Sequence, residues 1–216
     1  MKKTNRRSYA AMQNKLAVRI AVAAHIILIV LEVAARIHDI QSFGISMFKY
    51  YTIDSNILQM IVSAVIVYLL CRKGPVIPSW LSTLHLVSAV CLTVTFLIAL
   101  LVLAPQEGFA YYFLQNVAPI NHFLGPLLSV LTFLFMERPE RLPGRAVFAP
   151  MAATLLYGVI MLILNILRVI DGPYFFLQVY KVSPGTVVMW FCIIAALCLV
   201  LSGLYLWIRR KVTTAG

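Results

Sequence analysis

Residues 81–104 read LSTLHLVSAVCLTVTFLIALLVLA, a run without a single Asp, Glu, Lys or Arg. The apolar core of a bilayer is about 30 Å thick, so about 20 such residues cross it as a helix at 1.5 Å per residue. Five further runs of similar character lie at about 16–36, 49–71, 117–136, 148–168 and 186–208. The composition agrees: 62% of residues are hydrophobic and 12% charged, against roughly 25% charged in an ordinary soluble domain. The chain is therefore expected to be an all-α polytopic membrane protein, a single six-helix transmembrane domain over residues 1–216, with little chain left for a soluble part.

A net charge of +11 raises the question of nucleic acid, but no long basic helical face is present and a nucleic-acid partner is not expected. The basic residues flank the apolar runs. If every run crosses, MKKTNRRSYAAMQNK, Arg72–Lys73, the loop with Arg138, Arg141 and Arg145, and Arg209–Arg210–Lys211 share one side. The positive-inside rule makes that side cytoplasmic and puts both termini there. The other side holds only Arg36, Lys49, Arg168 and Lys181, with aromatic loops such as Tyr111–Tyr112 and Tyr174–Phe176 forming an interfacial belt. The first run is longer than a signal-peptide core, carries Glu32 and Arg36 near its far end, and reads as a retained anchor.

Polar groups inside lipid are costly unless they face a partner or a cavity, so their depth matters. The segment KYYTIDSNILQ, residues 49–59, opens the second run with Thr52, Asp54, Ser55, Asn56 and Gln59. Thr52, Ser55 or Asn56, Gln59 and Ser63 recur at helical steps of three and four, which makes one stripe. In the fourth run APINHFLGP places Asn121 and His122 at the same outer end, and His122, Gly125, Ser129 and Thr132 repeat the spacing. His25, Glu32 and Arg36 form a looser stripe on the first helix, with Asn165 and Arg168 closing the fifth at a similar level. Stripes of this kind turn inward, so a pocket opening near the outer leaflet is expected.

A threonine hydroxyl becomes a useful nucleophile when a base takes its proton, and neutral imidazole suits that near pH 7. Thr52 and His122 are the candidate pair for attack on an ester carbonyl. Asn56, Asn121 or a backbone amide is the candidate oxyanion donor, and Ser55, Gln59, Asn165, Arg168 and Lys49 are further candidates for holding substrate. The plainer readings stand beside these: Thr52 as a helix cap or back-bonded threonine, His122 as an inter-helix hydrogen-bond partner, Glu32–Arg36 as a structural ion pair. The four cysteines, Cys71, Cys91, Cys192 and Cys198, show no metal-ligand spacing, and no phosphate loop or nucleotide motif occurs, so no metal or cofactor is indicated.

KYYTIDSNILQ, with lysine three before the threonine and glutamine seven after it, resembles the corresponding segment of the androgen-induced-protein family of intramembrane threonine hydrolases and their bacterial six-span relatives. NHFLGP, the acidic end MERPE and the aromatic loop GPYFFLQVY are also similar to that family. The resemblance implies hydrolysis of fatty acid esters of hydroxy fatty acids by an intramembrane threonine–histidine pair. By motif these roles fall on Thr52 and His122, with His25 as the other available base. A bacterial cytoplasmic membrane, a long-chain acyl ester as partner and no cofactor follow from it. The alternative is a non-enzymatic lipid-binding or transport protein whose outer-leaflet polar pocket holds an amphiphile, with His122, Glu32 and Arg36 as a charge relay. A cysteine acyltransferase is disfavoured, since no cysteine shares the depth of His122. The oligomeric state is open at this level.

Overall fold

The computed structural model describes the backbone of residues 2–139 and 142–215 and the side chains of residues 15–137 and 142–212. The expectations for the side chains of the basic N-terminal run, and for Arg138, Glu140 and Arg141, lie outside the described residues. The chain is helical almost throughout. Helix α1 is Lys2–Phe43, α2 is Tyr51–Lys73, and α3 runs over Ser79–Glu107. Helix α4 is Ile120–Met136, α5 is Gly144–Ile166 and α6 is Pro184–Ala215. The only strand pairing among the described residues is two residues long, Val76–Ile77 alongside Arg138–Pro139 in parallel.

Five of these helices are long and apolar enough to cross a membrane; α4 is the shorter one. The chain is a membrane protein of all-α class. Its exposures are inverted relative to a soluble fold: Ile26, Val30, Leu156, Ile163, Val188 and Val200 face outward, while His25, Glu32, Asn56, Gln59, His85 and Ser129 are fully buried. Water would oppose that arrangement and lipid imposes it.

Local chemistry sets the ends. Helix α2 begins after Tyr50 in extended conformation and stops at Gly74, whose φ of 96° is open to glycine at no steric cost, with Arg72 and Lys73 in the last turn against the carbonyl end of the dipole. Pro105 and Pro126 lie inside α3 and α4, where a proline ring clashes with the carbonyl four residues back. In both helices a π turn precedes the proline, at Ala99–Leu103 and Ile120–Leu124, and absorbs that clash. Helix α5 ends on Arg168 at φ 59°, and the Val169 N–H reaches back to Leu164 O at 2.9 Å, which closes the last turn.

Helix α3 is the centre of the bundle, packed on α2, α4, α5 and α6, while α1 packs on α2 and α4. Gly125 is required by a close approach. A Cβ there would stand 2.7 Å from Glu32 Oε1 and 2.9 Å from Asn56 Oδ1, so α1, α2 and α4 converge only because this residue has no side chain.

Candidate functional site

Thr52 stands in the first turn of α2 and His122 in the π turn that opens α4. Both line one cavity of ≈ 380 Å³, whose wall also includes His38, Asp39, Asn121, Tyr112 and Tyr174. A second, apolar cavity of ≈ 60 Å³ lies between α2, α3, α5 and α6, walled by Val94, Ile98, Leu155, Phe191 and Ile194. Thr52, Leu103 and Tyr174 border both, so the threonine sits where a polar chamber meets an apolar slot. The slot has room for on the order of five water molecules. That is too little space for a full acyl chain.

The histidine is held in one tautomer. Its Nδ1–H donates to Tyr112 O at 2.9 Å, and the Tyr112 ring meets the imidazole edge-on. The lone pair of the neutral ring is then at Nε2, the form a general base needs. Tyr112 is fixed in turn by donating to Glu107 Oε2 at 2.7 Å; burial and the carboxylate both push its phenol well above the usual tyrosine range.

Behind the threonine lies a buried polar girder. Arg36 forms an ion pair with Asp39 at 3.0 Å and a longer one with Glu32 at 3.7 Å. The same guanidinium donates to Ile53 O at 3.2 Å and to the Asn121 side-chain oxygen. Asn56 donates to Thr52 O at 2.9 Å and to Asn121 O at 3.1 Å, which ties α2 to α4 at the level of the site. Asn56 is fully buried and borders neither cavity, so its amide holds the backbone and is not presented to a ligand. Asn121 does border the larger cavity, although both ends of its amide are engaged, with Arg36 and, at 3.4 Å, with Asp39.

The other residues singled out in the sequence lie elsewhere. Ser55 donates back to Tyr51 O at 2.7 Å. Asn165 pins the outer loop, donating to Ile170 O and accepting from the Val179 N–H, both at 3.0 Å. Arg168 stacks on Tyr180 and Lys49 on Tyr50. Gln59 joins a second buried cluster about 10 Å further along α2 at the helical rise, with Ser63, Ser88, Ser129 and His85. His25 belongs to that cluster too, bonded to Ser63, and borders neither cavity.

Tyr174 is the site residue that sequence reasoning missed. It comes from the aromatic loop read above as an interfacial belt, and the loop folds inward over Thr52. The phenol lies beside the Thr52 side chain and the backbone N–H groups of Tyr51 and Thr52. Those amides open α2 and have no acceptor within their own helix. Burial drives the phenol up to about 12, with the Thr52 contact and the two amides pulling the other way, so the hydroxyl keeps its proton at physiological pH. The GPYFFLQVY run gave a signal in its density of aromatics, but nothing in it distinguished a belt from a lid.

Compared with family models, with curated proteins and with solved structures, the chain finds no match in any of the three.

Proposed function

We propose that this chain is an intramembrane ester hydrolase in which Thr52 is the nucleophile and His122 the base, acting on long-chain acyl esters such as fatty acid esters of hydroxy fatty acids. The observation that carries the reading is that two residues from different helices, 70 positions apart, line one cavity, with the histidine locked as the Nδ1–H tautomer. In the proposed reaction Nε2 of His122 takes the Thr52 proton, directly or through one water, as Oγ attacks the ester carbonyl. The imidazolium returns the proton to the leaving alcohol, and water then releases the acyl group. The first-turn amides of α2 are the best-placed oxyanion donors, since they carry the positive end of the helix dipole and have no helical acceptor. The phenol of Tyr174 rests where that oxyanion would sit, so an ester carbonyl must displace it.

The chain is proposed to cross six times with α4 as the fourth span, both termini cytoplasmic, and the Thr52 cavity in the outer half of a bacterial cytoplasmic membrane. The charge asymmetry of the loops supports this orientation. One observation favours the second reading, a lipid binder without turnover: the Thr52 side chain lies against the Tyr174 phenol, and no direct hydrogen bond joins it to the His122 imidazole.

A fluorophosphonate probe separates the two readings. The purified protein should form a covalent adduct that peptide mapping places on Thr52, and long-chain hydroxy-fatty-acid esters should compete with it. No adduct on Thr52, with ester binding intact, would favour the binder.

A further inference from the structure

The second buried cluster lies where α1, α3 and the end of α4 meet. His25 Nε2 is 3.3 Å and His85 Nδ1 2.5 Å from the same oxygen of Glu137, Oε1. The ligand atoms of the three side chains fall within 4.8 Å of one another, and both histidines are fully buried. His25 Nε2 is off the line of a hydrogen bond to that oxygen and has no other partner. A buried imidazole nitrogen aimed at a carboxylate without a proper bond needs an explanation.

Each of the three has an orienting partner on its far side. His25 Nδ1 meets Ser63 Oγ at 3.1 Å, His85 Nε2 meets Gln59 Nε2 and Thr132 Oγ1 at 3.4 Å, and Glu137 Oε2 accepts from Arg209 at 3.2 Å. The protonation pattern turns on Gln59, whose amide has the same shape with oxygen and nitrogen exchanged. With its nitrogen towards the histidines, Gln59 donates to Ser63 and to His85 Nε2, and His85 Nδ1–H donates to Glu137. With the amide turned over, its nitrogen donates to Ser88 and Ser129, and Ser88 O–H is satisfied by His85 O at 3.0 Å. The Gln59 oxygen then accepts from Ser63 O–H and from His85 Nε2–H, and Ser63 Oγ accepts from His25 Nδ1–H. Each ring then donates from its far nitrogen, His25 to Ser63 and His85 to Gln59, and three lone pairs converge: His25 Nε2, His85 Nδ1 and Glu137 Oε1.

We propose that these three residues bind a divalent cation of the zinc class, as a two-histidine, one-carboxylate site. Tetrahedral zinc with bonds of about 2.0–2.1 Å sets its ligand atoms about 3.4 Å apart. The His25–Glu137 spacing already matches, and the His85–Glu137 contact opens by under about 1 Å on the same scale. Ser63, Gln59 and Arg209 are the outer partners that fix ring orientation and hold the carboxylate, the arrangement metal sites use. No spacing motif announces the site because its ligands stand at positions 25, 85 and 137, on α1, on α3 and just past the end of α4. The proposal is independent of ester hydrolysis, because the site lies apart from the Thr52 cavity.

The test uses the full chain in detergent, stripped with a chelator and dialysed against ZnCl2 or CoCl2. Wild type and Thr52→Ala should each retain about one metal per chain by mass spectrometric metal analysis. The cobalt form should show the visible absorption of a four-coordinate ion, and zinc should raise the Tm. Glu137→Gln and His85→Asn should lose the metal while still eluting as monodisperse protein. A stripped wild type that takes up no zinc and shows no Tm shift overturns the proposal whether or not the variants fold. Equal zinc retention by wild type and both variants overturns it as well, since the ion would then be bound elsewhere.

Discussion

Thr52 contributes a hydroxyl and a methyl to a helix that accepts alanine, so its removal tests chemistry with little cost to folding. Thr52→Ala is expected to reduce hydrolysis of long-chain hydroxy-fatty-acid esters to background while the Tm stays within a few degrees. His122→Ala should lose as much, at least about a hundredfold in kcat, as loss of a general base does, and the double variant should be little worse than either single one. Wild-type turnover by Thr52→Ala would leave lipid binding as the function. The sequence pointed to this pair through helical spacing, expected depth and the resemblance of KYYTIDSNILQ, and both residues line one cavity. It did not make the partners of the pair legible. Tyr174 reaches Thr52 from a loop, and Tyr112 O reaches His122 from the five-residue helix Phe109–Phe113, and neither segment is long enough to show a period from which direction can be read. Asn56 and Gln59 share a stripe with Thr52, yet one supports the backbone and the other lies well below the cavity; stripe membership fixes a face, and depth decides use.

At the scale of elements, the junction of α1, α2 and α4 depends on Gly125. Gly125→Ala pushes a methyl into Glu32 and Asn56, both fully buried. It should destabilise by about 1–3 kcal/mol, the usual cost of overpacking. The damage should spread to activity, because Asn56 carries Thr52 O and Asn121 O. Gly203→Ala in α6, where a Cβ meets nothing within 4 Å, should hold or raise the Tm. Melting of both variants in one detergent checks the contrast, and equal melting points would remove the steric account. All six expected helices are present and five are long and apolar enough to cross; α1 runs well past both ends of its apolar run, and the others end close to where hydropathy puts them. The departures fall at Pro105 and Pro126, where π turns relieve a clash that hydropathy does not register.

For the molecule as a whole, the open question is whether α4 crosses. At the helical rise its 120–136 span is about 25 Å long, against about 30 Å of hydrocarbon. Reporter fusions to both termini should report the cytoplasm. Single cysteines at positions 115 and 142 should label from opposite sides of the membrane. Labelling of both from the same side would make the chain five-spanning and split the termini. Composition and charge made the membrane class and the candidate orientation readable at once. The buried cluster of His25, His85 and Glu137 was not readable, since three helices must be assembled before those residues are neighbours.

That same dependence on assembly reaches Gln59. One end of its amide is satisfied by Ser88 on α3 and by Ser129 on α4, 70 positions downstream. At about 5–20 residues per second of synthesis, α2 waits roughly 4–14 s between leaving the ribosome and meeting its last partner. During that interval a bare amide has no place in lipid, so α2 should stay beside the insertion machinery until α4 arrives. Nascent chains arrested before Ser129 should therefore crosslink to that machinery through a probe at position 59, and chains extended past α4 should not. Release of α2 ahead of α4 would show that Gln59 finds a transient partner of its own during biogenesis.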